Sequence, residues 1–204
     1  MDATATRSRG RPRTFDEDAV LDALTSLFWR QGYEATSMSD IAETTGLNRS
    51  SLYNAFGSKH DLFTRVLDRY ITSRMRRLEA LAADAGDGIG ALHAFLEVVQ
   101  AEMDSEIGRN GCLAVNTSTE MGSDDAEYVA FAERYRTRMA EAVRSLVERG
   151  AASGDLDPTQ VEHHTDVLTM FMLGMSVTVR SGAAHDEIVR LIDAAHATID
   201  SWRV

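Results

Sequence analysis

Residues Thr36–Lys59 read TSMSDIAETTGLNRSSLYNAFGSK, and the fold turns on this stretch. Met38, Ile41 and Ala42 recur at helical spacing, Gly46 supplies the backbone freedom of a tight turn, and Leu47, Leu52 and Phe56 make a second apolar stripe. Two short helices joined by a glycine turn are the layout of a helix-turn-helix, which lays its second helix in the DNA major groove. The face between the stripes carries Arg49, Ser50, Ser51, Tyr53 and Asn54, side chains that reach phosphate oxygens or base edges. Lys59, the one lysine of the chain, follows Ser58 at the start of the next apolar run. Serine is a good N-cap, and backbone N–H groups at a helix start also attract phosphate. Each residue has a plainer use: Ser50, Ser51 and Lys59 as solvated surface, Tyr53 as packing. Their joint pattern is what favours DNA.

Working outward, Phe15–Phe63 resembles the TetR family of one-component bacterial repressors. The matching signs are an apolar first helix ending at Gly32-Tyr33, the Thr36-Ser37 start, the Gly46 turn and the run Leu52-Tyr53-x-x-Phe56-x-Ser58-Lys59-x-x-Leu62-Phe63. The resemblance implies DNA contacts from Thr36, Ser37, Arg49, Ser50, Ser51, Tyr53 and Lys59, a palindromic double-stranded operator, a homodimer and release by an inducer. Ala55 departs from the pattern. Many members carry a histidine or aromatic there that touches the DNA backbone.

The rest of the chain sets bounds. Its 204 residues, 44% of them apolar and only two of them proline, suit one or two compact, mostly helical domains. No run of 18 apolar residues occurs, so no membrane span is expected, and the N-terminal arginines lack the apolar stretch of a secretory signal. A single cysteine excludes an internal disulfide and fits a cytoplasmic setting. The net charge of −11 divides unevenly: residues 1–77 hold 12 Lys+Arg against 10 Asp+Glu, residues 78–204 hold 9 against 22. Acidic charge is thus confined to the part expected to face away from DNA.

Residues 1–13 read as a disordered basic arm. Its Arg9-Gly10-Arg11-Pro12-Arg13 resembles an AT-hook core, whose arginines enter a narrow A·T minor groove. Thr14-x-x-Glu17 has the form of a capping box opening the first helix. Residues 14–60 are expected to form the helix-turn-helix domain and 61–204 a ligand-sensing and dimerisation domain. The pattern predicts an all-α chain of about nine helices, with a long fourth helix joining the domains and no confident strand. Ser123 reads as the cap of a long seventh helix, and Asp157-Pro158 as the start of the eighth.

In the eighth and ninth helices, Val161, Leu168, Met172, Met175 and Val179, then Ile188, Leu191, Ala195 and Ile199, form seams. They are the expected dimer interface, because a C2 pair is needed to span two half-sites; completing the core of the single chain is the alternative use of the same faces. Gly111-Cys112-Leu113-x-x-Asn116-x-x-x-Glu120 resembles a segment of a TetR branch that includes electrophile- and oxidant-responsive repressors. The resemblance makes Cys112 and Asn116 sensing candidates; a buried apolar role for the cysteine is the alternative. Phe95, Met103, Phe131, Tyr135, Met139 and Phe171 are candidates for an apolar inducer cavity, or else plain core. The acidic surroundings speak against an anionic ligand. No metal-ligand spacing, phosphate loop or dinucleotide fingerprint occurs, so no metal, cofactor or enzymatic activity is expected. Two other classes stay open: an architectural A·T-tract binder acting through the arm, and an enzyme using Cys112 as nucleophile.

Overall fold

A computed structural model describes residues 15–84, 88–105, 108–122 and 126–204. Among them are nine α-helices: α1 (Glu17–Gln31), α2 (Met38–Thr45), α3 (Arg49–Phe56), α4 (Lys59–Asp84), α5 (Gly90–Asp104), α6 (Leu113–Met121), α7 (Ala126–Ala152), α8 (Val161–Arg180) and α9 (His185–Asp200). The described residues contain no strand, only an isolated bridge between Leu156 and Arg203. Arg9, Arg11, Arg13, Thr14 and Ser123 lie outside the described residues.

Local chemistry explains where the first helices begin. Asp16, not Thr14, caps α1: its carboxylate accepts from the N–H groups of Asp18 and Ala19, one residue before the helix proper. The capping box expected on Thr14 lies outside the described residues, and the N-cap of α1 is Asp16. Gly46 ends α2 in the left-handed region at φ 68°, where a Cβ would be strained. Asp157 caps a 3-10 turn, Pro158–Gln160, so the proline opens that turn and α8 follows it.

The core of the amino-terminal end forms where α1 packs on α4. Leu24 and Phe28 of α1 meet Phe63, Val66 and Leu67 of α4, all fully or almost fully buried, with Phe28 and Phe63 rings 4.7 Å apart. Ile41, Leu52 and Phe56 close it from α2 and α3. Burying each such side chain contributes about 1.5–3 kcal/mol. Because α4 runs on into the second half, it ties the two ends together. There α7 lies along α8, and α5 packs on α9.

The seams expected to join two chains face inward. Leu168, Met172, Met175, Val179, Ile188, Ala195 and Ile199 are buried in the core of the same chain, and Val161 and Leu191 pack against it half-buried. The seven buried residues have little surface left for a partner, while Val161 and Leu191 keep part of theirs. The opposite face of α8 is the open one: Met170 is 66% and Val177 50% exposed.

Candidate nucleic-acid interface and regulatory cleft

Three side-chain caps fix the reading head. Ser37 accepts from the N–H groups of Ser39 and Asp40, and the Asp40 carboxylate accepts from Ser37 N–H at 2.7 Å, a reciprocal box at the start of α2. Asn48 caps α3 by accepting from Ser51 N–H at 2.8 Å. Ser58 and Asp61 repeat the box at the start of α4. Bonds to Ser37, the backbone N–H foremost, hold the Asp40 carboxyl below its ordinary 3.8. The Ser58 hydroxyl, then its N–H, does the same for Asp61.

These caps leave one polar row facing outward. Ser37, Arg49, Ser50, Tyr53 and Asn54 are exposed, and Ser51 is half-buried beside them. Tyr53 is 52% exposed because Leu52 and Phe56 fill the core positions of α3. The Arg49 guanidinium donates to the Ser39 hydroxyl, bracing α3 against α2. Lys59 sits at the first turn of α4 with its ammonium 4.2 Å from the centre of the Tyr33 ring. Thr36 does not join the row. It is fully buried, and its hydroxyl donates to the Gly32 carbonyl at 2.6 Å, so its expected DNA contact is corrected to a turn-holding role.

Glu120, whose place in the sequence signals no role of its own, braces the head from the other half. Its two carboxylate oxygens accept from Tyr33 N–H at 3.0 Å and Glu34 N–H at 2.8 Å. Gly32 allows the approach, since a Cβ there would lie 2.8 Å from the carboxylate and φ is +84°. At the other end of α6, Trp29 of α1 donates its indole N–H to the Gly111 carbonyl at 3.0 Å. The short helix that begins at Cys112 is thus bonded to α1 and the turn after it at both ends. Only the pairing across 87 residues reveals this, and no local pattern could.

The regulatory half places its candidates differently. Phe95, Phe131, Tyr135 and Met139 are close-packed core, buried to 3% exposure or less, and Phe171 packs against that core half-buried. Those five residues line neither the cleft beyond Arg74 nor the crevice at Cys112. Of the six expected cavity residues, Met103 alone borders one, beside Cys112. Asn116 holds the loop by donating its amide to the Asn110 carbonyl at 2.7 Å.

Cys112 is 1% exposed, with the Tyr135 hydroxyl 3.0 Å and the Tyr70 hydroxyl 3.5 Å from its sulfur. Burial first, then the neighbouring thiol, pushes both phenols well above the ordinary tyrosine range, so they stay protonated. Arg74 completes the cluster and is paired with Glu102. Burial works against its charge, but Tyr70, Cys112, Tyr135 and Glu102 together hold Arg74 above the usual guanidinium range. Beyond Arg74 a cleft of about 1050 Å³ opens between α1, α4 and α5.

A capped helix-turn-helix with an outward polar row, joined by one long helix to an all-α half, defines a helical DNA-binding regulator. Family models agree across both halves: residues 20–66 match bacterial regulatory proteins of the tetR family, and residues 88–192 match the tetracyclin repressor-like C-terminal domain. The chain belongs to the TetR family. It is 33% identical over 201 residues to the transcriptional repressor ComR of Escherichia coli, covering 96% of this chain and 93% of that one. It is 27% identical over 183 residues to BdcR of the same organism, a transcriptional repressor, covering 89% and 88%. Among solved structures, a cysteine mutant of the TetR-family regulator CifR on a 26 bp operator duplex is 28% identical. It superposes with a TM-score of 0.80 over 92% of this chain and 98% of that one. Reduced NemR of E. coli shares the fold at 18% identity, with a TM-score of 0.77 over 92% and 96%.

Proposed function

We propose that this chain is a transcriptional repressor that grips a palindromic operator as a homodimer, with residues 14–60 as reading head and 61–204 as sensing and pairing half. One observation carries the reading: the outward row of Ser37, Arg49, Ser50, Ser51, Tyr53, Asn54 and Lys59 on helices whose ends are locked by their own caps. Fixed polar groups on a groove-sized helix are what base and phosphate recognition requires. The repressors ComR and BdcR, and CifR on its operator, support the same reading. The basic arm adds salt-dependent affinity in the minor groove. The protein acts in the cytoplasm and has no enzymatic activity.

Pairing is assigned to the outward face of α8 and α9. Met170, Leu173, Gly174 and Val177 recur on one side of α8, and Ala194 and Ala197 are exposed on α9. Exposed apolar and small residues at helical spacing suit a second copy of the same two helices around a twofold axis. That symmetry sets two reading heads about 34 Å apart, one DNA turn. Release from DNA comes from a small molecule bound in the second half or from modification of Cys112. Opening is needed in the second case, since the thiol is enclosed.

Tyr53→Ala and Lys59→Ala, titrated against the upstream DNA of the protein's own gene at fixed salt, test the reading. Both variants are expected to weaken binding while thermal stability and oligomeric state stay as in the parent. Unchanged affinity in both contradicts it.

A further inference from the structure

We infer that the cleft between α1, α4 and α5 is a binding site for a small organic carboxylate, with Arg74 and Arg77 as the anion receptor. The inference deepens the ligand-release reading above and rests on it for its regulatory meaning, though not for the binding itself.

The cleft's volume, about 1050 Å³, is at the upper end of small-molecule sites. Its charge runs against that of the half around it: four arginines line it, Arg69, Arg74, Arg76 and Arg77, against the acids Asp22, Asp68 and Glu102. Arg69 is already engaged by Asp18 at 2.7 Å and Asp22 at 2.9 Å. What remains is one guanidinium in excess of the acids, on a chain whose residues 78–204 are strongly acidic. That excess suits a monoanion better than a doubly charged phosphate.

Arg74 supplies the independent sign. It is 9% exposed, and its Nε is buried with no hydrogen-bond partner among the described residues. An N–H of a buried guanidinium left without an acceptor is costly, so the network around Arg74 holds an unmet donor that a rearrangement of Glu102 on ligand entry can satisfy. Glu102 shows what the receptor accepts. Its carboxylate sits against Arg74 and within 4.0 Å of Arg77, with its side chain 22% exposed. A guanidinium fork matches a carboxylate edge to edge. Trp29, Tyr70, Val98 and Ala101 offer apolar wall for the carbon skeleton, and Ser73 offers a hydroxyl.

Position gives the site its consequence. An acid seated here competes with Glu102 for Arg74 and Arg77, touching α4 and α5 on one side and Trp29 of α1 on the other. Arg74 and Glu102 also line the small crevice at Cys112, so the same exchange alters the wall of the thiol's enclosure.

The test uses the full-length protein without DNA and a panel running from acetate to decanoate, with benzoate and its hydroxylated derivatives, each beside its neutral amide. Binding is read by quenching of Trp29 emission in a Trp202→Phe background and by calorimetry. At least one acid is expected to bind saturably where its amide does not. Arg77→Gln, at an exposed position, should weaken that acid roughly tenfold or more. Glu102→Gln should tighten it by removing the competing carboxylate. Opposite signs from the two variants are not what general destabilisation produces, and Arg77→Gln keeps the test decisive should Glu102→Gln fail to fold. No binding by any acid, equal binding by acid and amide, or an unchanged affinity in Arg77→Gln overturns the inference. Operator binding of the unliganded protein, measured separately, tells this failure apart from failure of the repressor reading.

Discussion

Around Ser37, Asn48 and Ser58 each capping side chain finds its partner within three residues, whereas around Cys112 the partners come from three other helices, α4, α5 and α7. Tyr70 lies 42 residues before the cysteine, Tyr135 23 after it, and Arg74 is 28 from Glu102. The first arrangement fixes helix ends in place and leaves the intervening side chains free to meet DNA. The second buries its polar groups and makes each depend on the packing of the whole half. A surface built by local bonds keeps its shape when the other half moves. A buried network is where an applied change can be felt and passed on.

The comparison predicts unequal costs. Arg74→Ala leaves Glu102 without its buried partner and is expected to destabilise the fold by about 3–5 kcal/mol in urea unfolding. A cost near that of an exposed pair, under about 1 kcal/mol, would break the contrast. Phe56→Ala, which removes the aromatic that closes the reading head, is expected to cost about 3–5 kcal/mol as well. The two differ in reach. Hydrogen exchange should show the Phe56 loss confined to α1–α4 and the Arg74 loss spread over the second half. Arg49→Ala is expected to leave the melting temperature almost unchanged while reducing discrimination between base pairs by about 1–3 kcal/mol. Equal loss on all sequences would reassign Arg49 to phosphate contact. Ser37→Ala removes one cap and should cost about 1 kcal/mol of stability.

The smallest effect is in acid. Asp40 and Asp61 are held below the ordinary carboxyl value by their serines, so the unfolded chain takes up protons first as the pH drops. The stability these caps contribute is complete above about 3.8, the unfolded value, and is lost as pH falls through the lower folded values. Asp40→Asn should flatten the acid limb of the stability curve. An unaltered slope would show that the box is broken in solution.

What could be read in advance follows the same division. The Ser58 start of α4, the Gly46 turn and the buried places of Ile41, Leu52 and Phe56 are legible because each depends on neighbours a few residues away. The outward placement of Tyr53 followed from the same spacing. Thr36 was misplaced because a Thr-Ser pair before a helix does not reveal which hydroxyl caps and which turns inward to Gly32. The stripes of α8 and α9 are legible as apolar, and in the single chain most of their residues complete its own core. Periodicity tells which face avoids water, not whether the same chain or a copy covers it, and α5 and α7 cover it here. Aromatics and methionines at helical spacing describe a filled core as well as a hollow one, and Phe95, Phe131, Tyr135 and Met139 are buried core here. Arg74, Glu102 and Glu120 carry no periodic signal at all, so their roles emerge only when distant helices meet.

Two copies of one reading head on one duplex remain the central claim. Light scattering of the purified protein with its own promoter fragment, scanned over ratio at low salt, measures it directly. A complex holding two 22.4 kDa chains per duplex, reduced to weakly bound single chains by Val177→Glu, is the predicted result. A stable one-to-one complex unaffected by Val177→Glu would contradict the account.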